Sequence, residues 1–400
     1  MAGFGYAGKI LVVDLSSGSM TDVSTDDYAD RFIGGRGLGA KIYWDRVSPE
    51  SKAFDSDNIL VFSTGPLAGL PVLGGSRWQV CGKSSASSKD RFCYGNLGGT
   101  WGAELKFSGY DAIVVAGKSQ KPVCLFLHQV VSELRDASAL WGKGAMESRR
   151  ILKGELGASV KVVAIGPAGE NRAVMATMLA DQDAVGTGGL GAVMGSKGLK
   201  AIAVGGGRKA FKVADPERLR ILTKHYRDIG RTMWEFVSRW SRDPVEFRLI
   251  PGQEIMKKEP CYGCLGKCPR KIYVAADGTK GKFVCHSAFF YQPWAEEYYG
   301  TWNDVPFHAT KLCDDYGLDT KAVDLIISWL DGCYKAGVLT EKDTGLPLSA
   351  IGSAEFIEAL VKTISLREGF GDLLAQGLTK AAEAMGSAAR LLLTGHPYSL

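Results

Sequence analysis

Three thiols stand close together in Pro260-Cys261-Tyr262-Gly263-Cys264-Leu265-Gly266-Lys267-Cys268-Pro269, a C-x2-C-x3-C run. The glycines let the chain turn tightly enough for Cys261, Cys264 and Cys268 to face one metal centre, and soft thiolates suit iron-sulfur chemistry or zinc. Zinc calls for a fourth Cys or His nearby in a paired pattern, and none follows. A 4Fe-4S cluster takes its last cysteine from a distant segment. The cluster is therefore the preferred reading, with structural zinc and unligated thiols as alternatives. Cys285 and Cys313 are the candidate fourth ligands by their nearness. Cys81, Cys93, Cys124 and Cys333 lie in apolar strand or helix contexts and read as core thiols.

Three glycine clusters also bear on chemistry: Gly34 to Gly39, Tyr94 to Gly102 and Gly186 to Lys197. None has the order of a phosphate-binding P-loop. Singly, each reads equally as a tight turn or a ligand cradle. Together they suggest a large anionic, polycyclic cofactor lying on backbone amides, with Arg77 as a bidentate phosphate clamp; a surface role is the alternative for Arg77. In Asp314-Asp315-Tyr316-Gly317-Leu318-Asp319, Gly317 fits the residue after a helix and Asp319 the N-cap of the next. The functional reading adds that Asp314 accepts hydrogen bonds from a heterocycle while the following helix start faces an anion. Spacing alone favours the first.

The elements that must position these residues change along the chain. Before residue 210, short β-rich runs recur at Lys9–Leu15, Ile59–Phe62, Asp111–Ala116, Val123–Leu127, Lys161–Ile165 and Lys200–Val204, with a helix near Gly144 to Leu156. After Asp215-Pro216, an N-cap followed by proline at the first helical position, the period becomes helical. Val323, Ile326, Ile327, Leu330 and Cys333 form one stripe, and a further helix spans Ser353 to Ile364. The expected fold is α+β: a β-rich ligand-binding domain over 1–210, then a mainly helical domain over 211–400 that carries the cysteines and ends at Leu400 as though cut.

Composition narrows the class. With 46% hydrophobic and 23% charged residues and a net charge of +5, the 400-residue chain reads as an ordinary globular protein rather than a nucleic-acid binder. No apolar stretch reaches the ~20 residues of a membrane span, and the N-terminus lacks a secretion pattern, so the cytoplasm is the expected compartment. Nine cysteines, an odd number, argue against a disulfide framework. The 51 glycines form about 13% of the chain against a usual ~7%, in clusters rather than repeats.

In this order the motifs resemble the tungsten-containing aldehyde ferredoxin oxidoreductase superfamily over essentially the whole chain. They are Gly34-Gly35-Arg36-Gly37-Leu38, Ser76-Arg77-Trp78, Asn96-Leu97-Gly98-Gly99, the run Trp101 to Asp111, Gly188 to Gly195, the cysteine cluster and Asp314 to Asp319. The resemblance implies one tungsten held by the dithiolenes of two molybdopterin-type pterins, beside a 4Fe-4S cluster that passes electrons to ferredoxin or an iron-sulfur subunit, in an oligomeric enzyme. It implies Arg77 on pterin phosphate, Asn96 and Thr187 at a Mg2+ ion bridging the phosphates, Gly98, Gly99, Gly188 and Gly189 in the cradle, and Asp314, Gly317 and Leu318 on one pterin. Two departures stand out. Gly186 and Thr187 occupy positions where the family usually has an arginine before the glycine loop. A second D-x-x-G-L element with its cysteine, expected further along, is absent before Leu400, so the chain resembles the N-terminal two-thirds of such an enzyme.

Within that superfamily the expected branch rests on Phe283 to Gly300. Aldehyde-oxidising members place glutamates here, and Glu296 or Glu297 are the candidates for taking a proton. Cys285 among aromatic residues looks more like class II benzoyl-CoA reductases, in which a cysteine thiolate also ligates tungsten; His286 or His308 would then be the proton donor. Aryl-CoA reduction is the preferred reading and aldehyde oxidation the alternative. A non-catalytic iron-sulfur electron-transfer subunit and a zinc-stabilised assembly protein are the readings from other classes.

Overall fold

A computed structural model describes residues 3–72, 75–87, 89–128, 131–206, 212–240, 257–265, 271–283 and 286–393. Strands β1 (Lys9–Asp14), β2 (Ser19–Ser24), β3 (Leu60–Thr64), β4 (Trp78–Ser84), β5 (Arg91–Leu97) and β6 (Ala112–Ala116) form one sheet in the order β2-β1-β6-β3-β4-β5. Strands β7 (Val123–His128), β8 (Val131–Asp136), β9 (Lys161–Ile165), β10 (Met178–Ala180), β11 (Ala184–Gly186) and β12 (Leu199–Gly205) form a second, in the order β11-β10-β9-β12-β7-β8. Each sheet has one parallel pair, β1 with β6 and β7 with β12, among antiparallel neighbours.

Side chains alternate across each strand, so each sheet has two faces to bury. Leu11, Phe62, Ile113 and Val115 of the first sheet meet Leu125, Val163, Ile165 and Ile202 of the second in one apolar core, joined by Trp101 and Leu190. Ile10, Val61 and Val114 on the other face of the first sheet pack under Leu38 and Ile42 of the helix Gly35–Arg46. Val162, Ala164 and Ala203 pack under Leu152 of the helix Ala145–Leu156. The first glycine cluster therefore begins a helix: Gly39 packs so closely that a Cβ there would lie 3.0 Å from Cys81 Sγ. Gly191 and Gly195 serve a similar end in the helix Leu190–Ser196, where side chains would strike the main-chain carbonyls of Thr177 and Gly169.

The helical half begins with Pro216–Trp240, whose Asp215 accepts from Arg218 N at 2.8 Å as an N-cap. A small sheet of β13 (Lys257–Lys258), β14 (Lys271–Val274) and β15 (Lys280–Lys282) precedes the helices Val305–Tyr316, Thr320–Lys335 and Ala354–Leu366. The expected stripe Val323, Ile326, Ile327, Leu330 and Cys333 is buried in one cluster with Phe356, Leu360 and Ile364. The architecture is thus a sheet-rich region followed by a helical one. Among the described residues no helix is long and apolar enough to cross a membrane.

Candidate functional site

A cavity of about 270 Å³ lies where the sheet half meets the helical half, lined by Arg77, Asn96, Gly98 and Thr187 from the first and by Cys261, Asp314 and Leu318 from the second. Arg77 and Asn96 stand exposed on its sheet side, and Gln79 Nε2 donates to Asn96 Oδ1 at 2.7 Å, which orients that amide. Gly95 lets the Thr187 backbone approach: a Cβ there would be 3.2 Å from Thr187 O. Gly188 and Gly189 follow with φ of 80° and 72°, the left-handed region that glycine enters without steric cost.

The cysteine loop is seated on the turn after β5. Tyr262 N donates to Gly99 O at 3.1 Å, and Cys264 N closes a tight turn on Cys261 O at 3.1 Å with Gly263 at φ 62°. A Cβ on Gly98 would lie 2.9 Å from Cys261 Sγ and 3.8 Å from a terminal nitrogen of Arg77. Only glycine leaves that space open, and it leaves a cation and a thiol facing one recess. Cys264 is half-buried in the same turn. Cys268 and Cys285 lie outside the described residues, as does the side chain of His286, which opens the short helix His286–Phe289.

Asp314 enters the cavity from the helix Val305–Tyr316 and is 5% exposed. Burial pushes its carboxyl above the usual range, and the Lys311 ammonium, 2.6 Å from Oδ2, opposes this only in part. Lys311 also meets Asp183 Oδ2 at 3.1 Å. Burial alone would lower Lys311, but the two carboxylates outweigh it and hold the ammonium above its ordinary value. Asp183 is likewise buried; Lys311 and then Arg149 overcome the desolvation and keep it well below the usual carboxylate range. The following residues meet the local expectation in full: Gly317 ends the helix at φ 80°, and Asp319 accepts from Lys321 N at 2.9 Å. Thr177 N donates to Gly317 O at 2.8 Å and Leu318 bridges to Ala176, so the element is fastened to the sheet half. Asp315, facing away, accepts from Met146 N at 2.8 Å at the start of the helix Ala145–Leu156.

The remaining candidates lie elsewhere. His308 lines a different cavity, of about 380 Å³, with its Nε2 3.7 Å from Asp277 Oδ2. Glu296 accepts from Gln292 Nε2 at 2.9 Å on the helix Gln292–Tyr299, and Glu297 is exposed; neither lines the first cavity. Cys313 is fully buried in the helical core and does not line the cavity, and burial pushes its thiol well above the ordinary value. Among the described residues no three His, Cys, Asp or Glu side chains converge as a metal cage. Asp183, Lys311 and Gln79 were not among the residues the sequence singled out. The i, i+3 spacing of Lys311 and Asp314 was the one available local signal.

Donors on the sheet side, a carboxylate acceptor opposite and a glycine floor suit an anionic, nitrogen-rich heterocycle, and the neighbouring thiols suit a soft metal cluster. The family model for the aldehyde ferredoxin oxidoreductase N-terminal domain matches residues 10–206, and that for domains 2 and 3 of the same family matches residues 251–395. A tungsten-containing aldehyde ferredoxin oxidoreductase of Pyrococcus horikoshii is 33% identical over 427 residues, covering 95% of this chain and 67% of the relative. An aliphatic sulfonate oxidoreductase, WOR-like subunit, of Pyrococcus furiosus is 29% identical over 425 residues, with the same coverages of 95% and 67%. Among solved structures, the active site complex BamBC of benzoyl coenzyme A reductase with 1,5 dienoyl-CoA superimposes with a TM-score of 0.85 at 29% identity, covering 98% of this chain and 65% of that one. The chain thus spans about two thirds of the length of the proteins it matches.

Proposed function

The chain belongs to the aldehyde ferredoxin oxidoreductase family, and from that premise we propose that it is the cofactor-binding portion of a tungsten-pterin oxidoreductase. The supporting observation is the single cavity that gathers Arg77, Asn96, Thr187 and Asp314 beside Cys261. A glycine floor that a Cβ would fill, a rim cation and a buried carboxylate fit a phosphate-bearing pterin.

Arg77 would hold the pterin phosphate with two parallel N–H bonds. Asn96 and Thr187 would hold a Mg2+ ion that neutralises phosphate charge, and Gln79 keeps the Asn96 amide oriented. Asp314 would accept from the heterocycle's N–H groups, and Leu318 would give it an apolar contact. Cys261, Cys264 and Cys268 would ligate the 4Fe-4S cluster. When bound, these groups supply paired-electron chemistry at tungsten and an exit for single electrons through the cluster to a ferredoxin or iron-sulfur subunit.

For the substrate, reduction of an aryl-CoA ring is the reading we adopt. Neither the Glu296 and Glu297 of an aldehyde oxidation nor His308 lines the cavity, so the preference is carried by the superimposing BamBC structure, which is in complex with a dienoyl-CoA. Aldehyde oxidation is the second reading, favoured by the names of the Pyrococcus relatives. Assay of the anaerobically prepared full-length protein with benzoyl-CoA and a low-potential donor, against simple aldehydes with an acceptor, separates the two. Turnover of aldehydes alone overturns the aryl-CoA reading. Full tungsten occupancy and activity in Cys285→Ala would remove the thiolate-ligand assignment.

A further inference from the structure

The turn Asp181-Gln182-Asp183 joins β10 to β11 at the edge of the cavity, and Gln182 and Asp183 have φ of 59° and 50°. Non-glycine residues occupy the left-handed region at a cost, and two in succession persist only where the surroundings fix them. Here they turn one carboxylate inward, where it collects three separate elements. Asp183 Oδ1 takes Arg149 of the helix Ala145–Leu156 at 3.2 Å. Oδ2 takes the backbone N–H of Lys282 in β15 at 3.0 Å and the ammonium of Lys311 at 3.1 Å. The Lys282 ammonium returns to the Asp183 carbonyl. Lys311 passes Gly281 so closely that a Cβ there would lie 2.7 Å from its Cδ, and its ammonium then reaches Asp314 Oδ2 at 2.6 Å. On the same turn, Gln182 Nε2 donates to Pro260 O just before Cys261, and a Cβ on Gly99 would lie 2.6 Å from Asp181 O.

We infer that Asp183 is the positioning residue of the cavity: through Lys311 it fixes where the Asp314 carboxylate stands, and through Lys282 it fixes the strand that leads to residue 285. The inference rests on the reading above for what Asp314 holds. Ordinary knitting of two regions needs no particular orientation of Asp314. Here Asp314 is buried, one of its oxygens is committed to Lys311, and the other is directed by that bond, so the geometry presented to a ring N–H pair is set from the sheet half. Removing the Asp183 charge leaves Lys311 shared with no second carboxylate and lets the helix end shift relative to the glycine floor.

The test uses the full chain with its bound cofactor. Asparagine tolerates the left-handed conformation, so Asp183→Asn removes charge without adding backbone strain. Two readouts apply to protein that elutes as folded material: the rate at which pterin is lost on dilution, read by fluorescence after oxidation, and amide hydrogen exchange over residues 310–318. Asp183→Asn and Lys311→Met are expected to release pterin at least tenfold faster and to raise exchange in that segment at least tenfold, with β1 and β6 unchanged; Lys311→Arg is expected to restore most of both. Wild-type rates in both variants overturn the inference. If the wild-type protein holds no pterin, the proposed function fails, while the exchange measurement still decides the positioning role of Asp183: faster exchange in the variants supports it and unchanged exchange overturns it. If Asp183→Asn does not fold, Lys311→Met carries the same two readouts.

Discussion

Gly98 faces Cys261 so directly that a methyl group on the glycine would stand 2.9 Å from the cysteine sulfur. Gly98 has no positive φ among the described backbone angles, so alanine there adds bulk without backbone strain. Gly98→Ala is therefore a steric probe of how the cysteine loop is seated. Overpacking of this kind costs about 1–3 kcal/mol, and the loop with its Tyr262 to Gly99 hydrogen bond is expected to yield before the sheets do. The expected result is a loss of iron per chain with the far-UV circular dichroism spectrum unchanged. Wild-type iron content would show that the loop is not seated through Gly98.

Arg77 tests the phosphate clamp. Lysine keeps the charge but lacks the planar fork that meets a phosphate through two bonds. Arg77→Gln is expected to weaken pterin retention by roughly 1.5–3 kcal/mol, the range for hydrogen bonds to charged groups, and Arg77→Lys by less. Pterin per folded chain, measured after equal washing of the three proteins, checks the order. Equal retention in all three would place Arg77 outside the binding surface.

Glu296 discriminates the two substrate readings. Its carboxylate is taken by Gln292 on a helix that does not line the cavity. Under the aryl-CoA reading, Glu296→Gln and Glu297→Gln are expected to change kcat by no more than about twofold, well short of the roughly hundredfold or greater loss that follows removal of a general base. Steady-state kinetics with both substrate classes decides this.

Two lysines make alkaline stability measurable. Burial, against the pull of Asp111, brings Lys106 down to about 8. Burial with Lys118 brings Lys197 to about 8 from an ordinary 10.5. Below about 8 both are protonated whether the chain is folded or not. Above it the folded chain has released protons that the unfolded chain still binds, so stability rises with pH between about 8 and 10, by about 1.4 kcal/mol per pH unit for each lysine. Lys197→Met is expected to remove one such share from the slope of unfolding free energy against pH, although it also removes the bond to Gly117 O. Denaturant titrations at several pH values give the slope, and an unchanged slope contradicts the assignment.

The sequence reveals the elements more readily than the connections between them. Val323, Ile326, Ile327, Leu330 and Cys333 announce a helix because burial repeats with its turn, and all five are buried together. Strands β4 and β5 are hidden: Gln79, Gly82 and Lys83 interrupt the apolar run of β4, while Arg91 on one face and Tyr94 and Asn96 on the other deny β5 an apolar alternation. The glycine clusters carried two meanings at once. Gly39, Gly191 and Gly195 bring helices onto neighbouring backbone or side chains, whereas Gly98 opens the cavity floor. The meeting of Asp183 with Lys311 had no signature, because an ion pair between residues 128 positions apart depends on how two regions dock. Asp314 shows that the modest and the functional readings need not compete: Gly317 and Asp319 serve as helix ends while Asp314 faces the cavity.

Metal and pterin analysis of the anaerobically purified full-length protein decides whether this cavity houses a tungsten-pterin centre. Tungsten together with pterin, and iron with acid-labile sulfide in the ratio of a 4Fe-4S cluster, are expected, all lost together from the Arg77→Gln, Gly98→Ala double variant. Colourless protein containing zinc, or iron and sulfide without tungsten or pterin, would contradict that assignment.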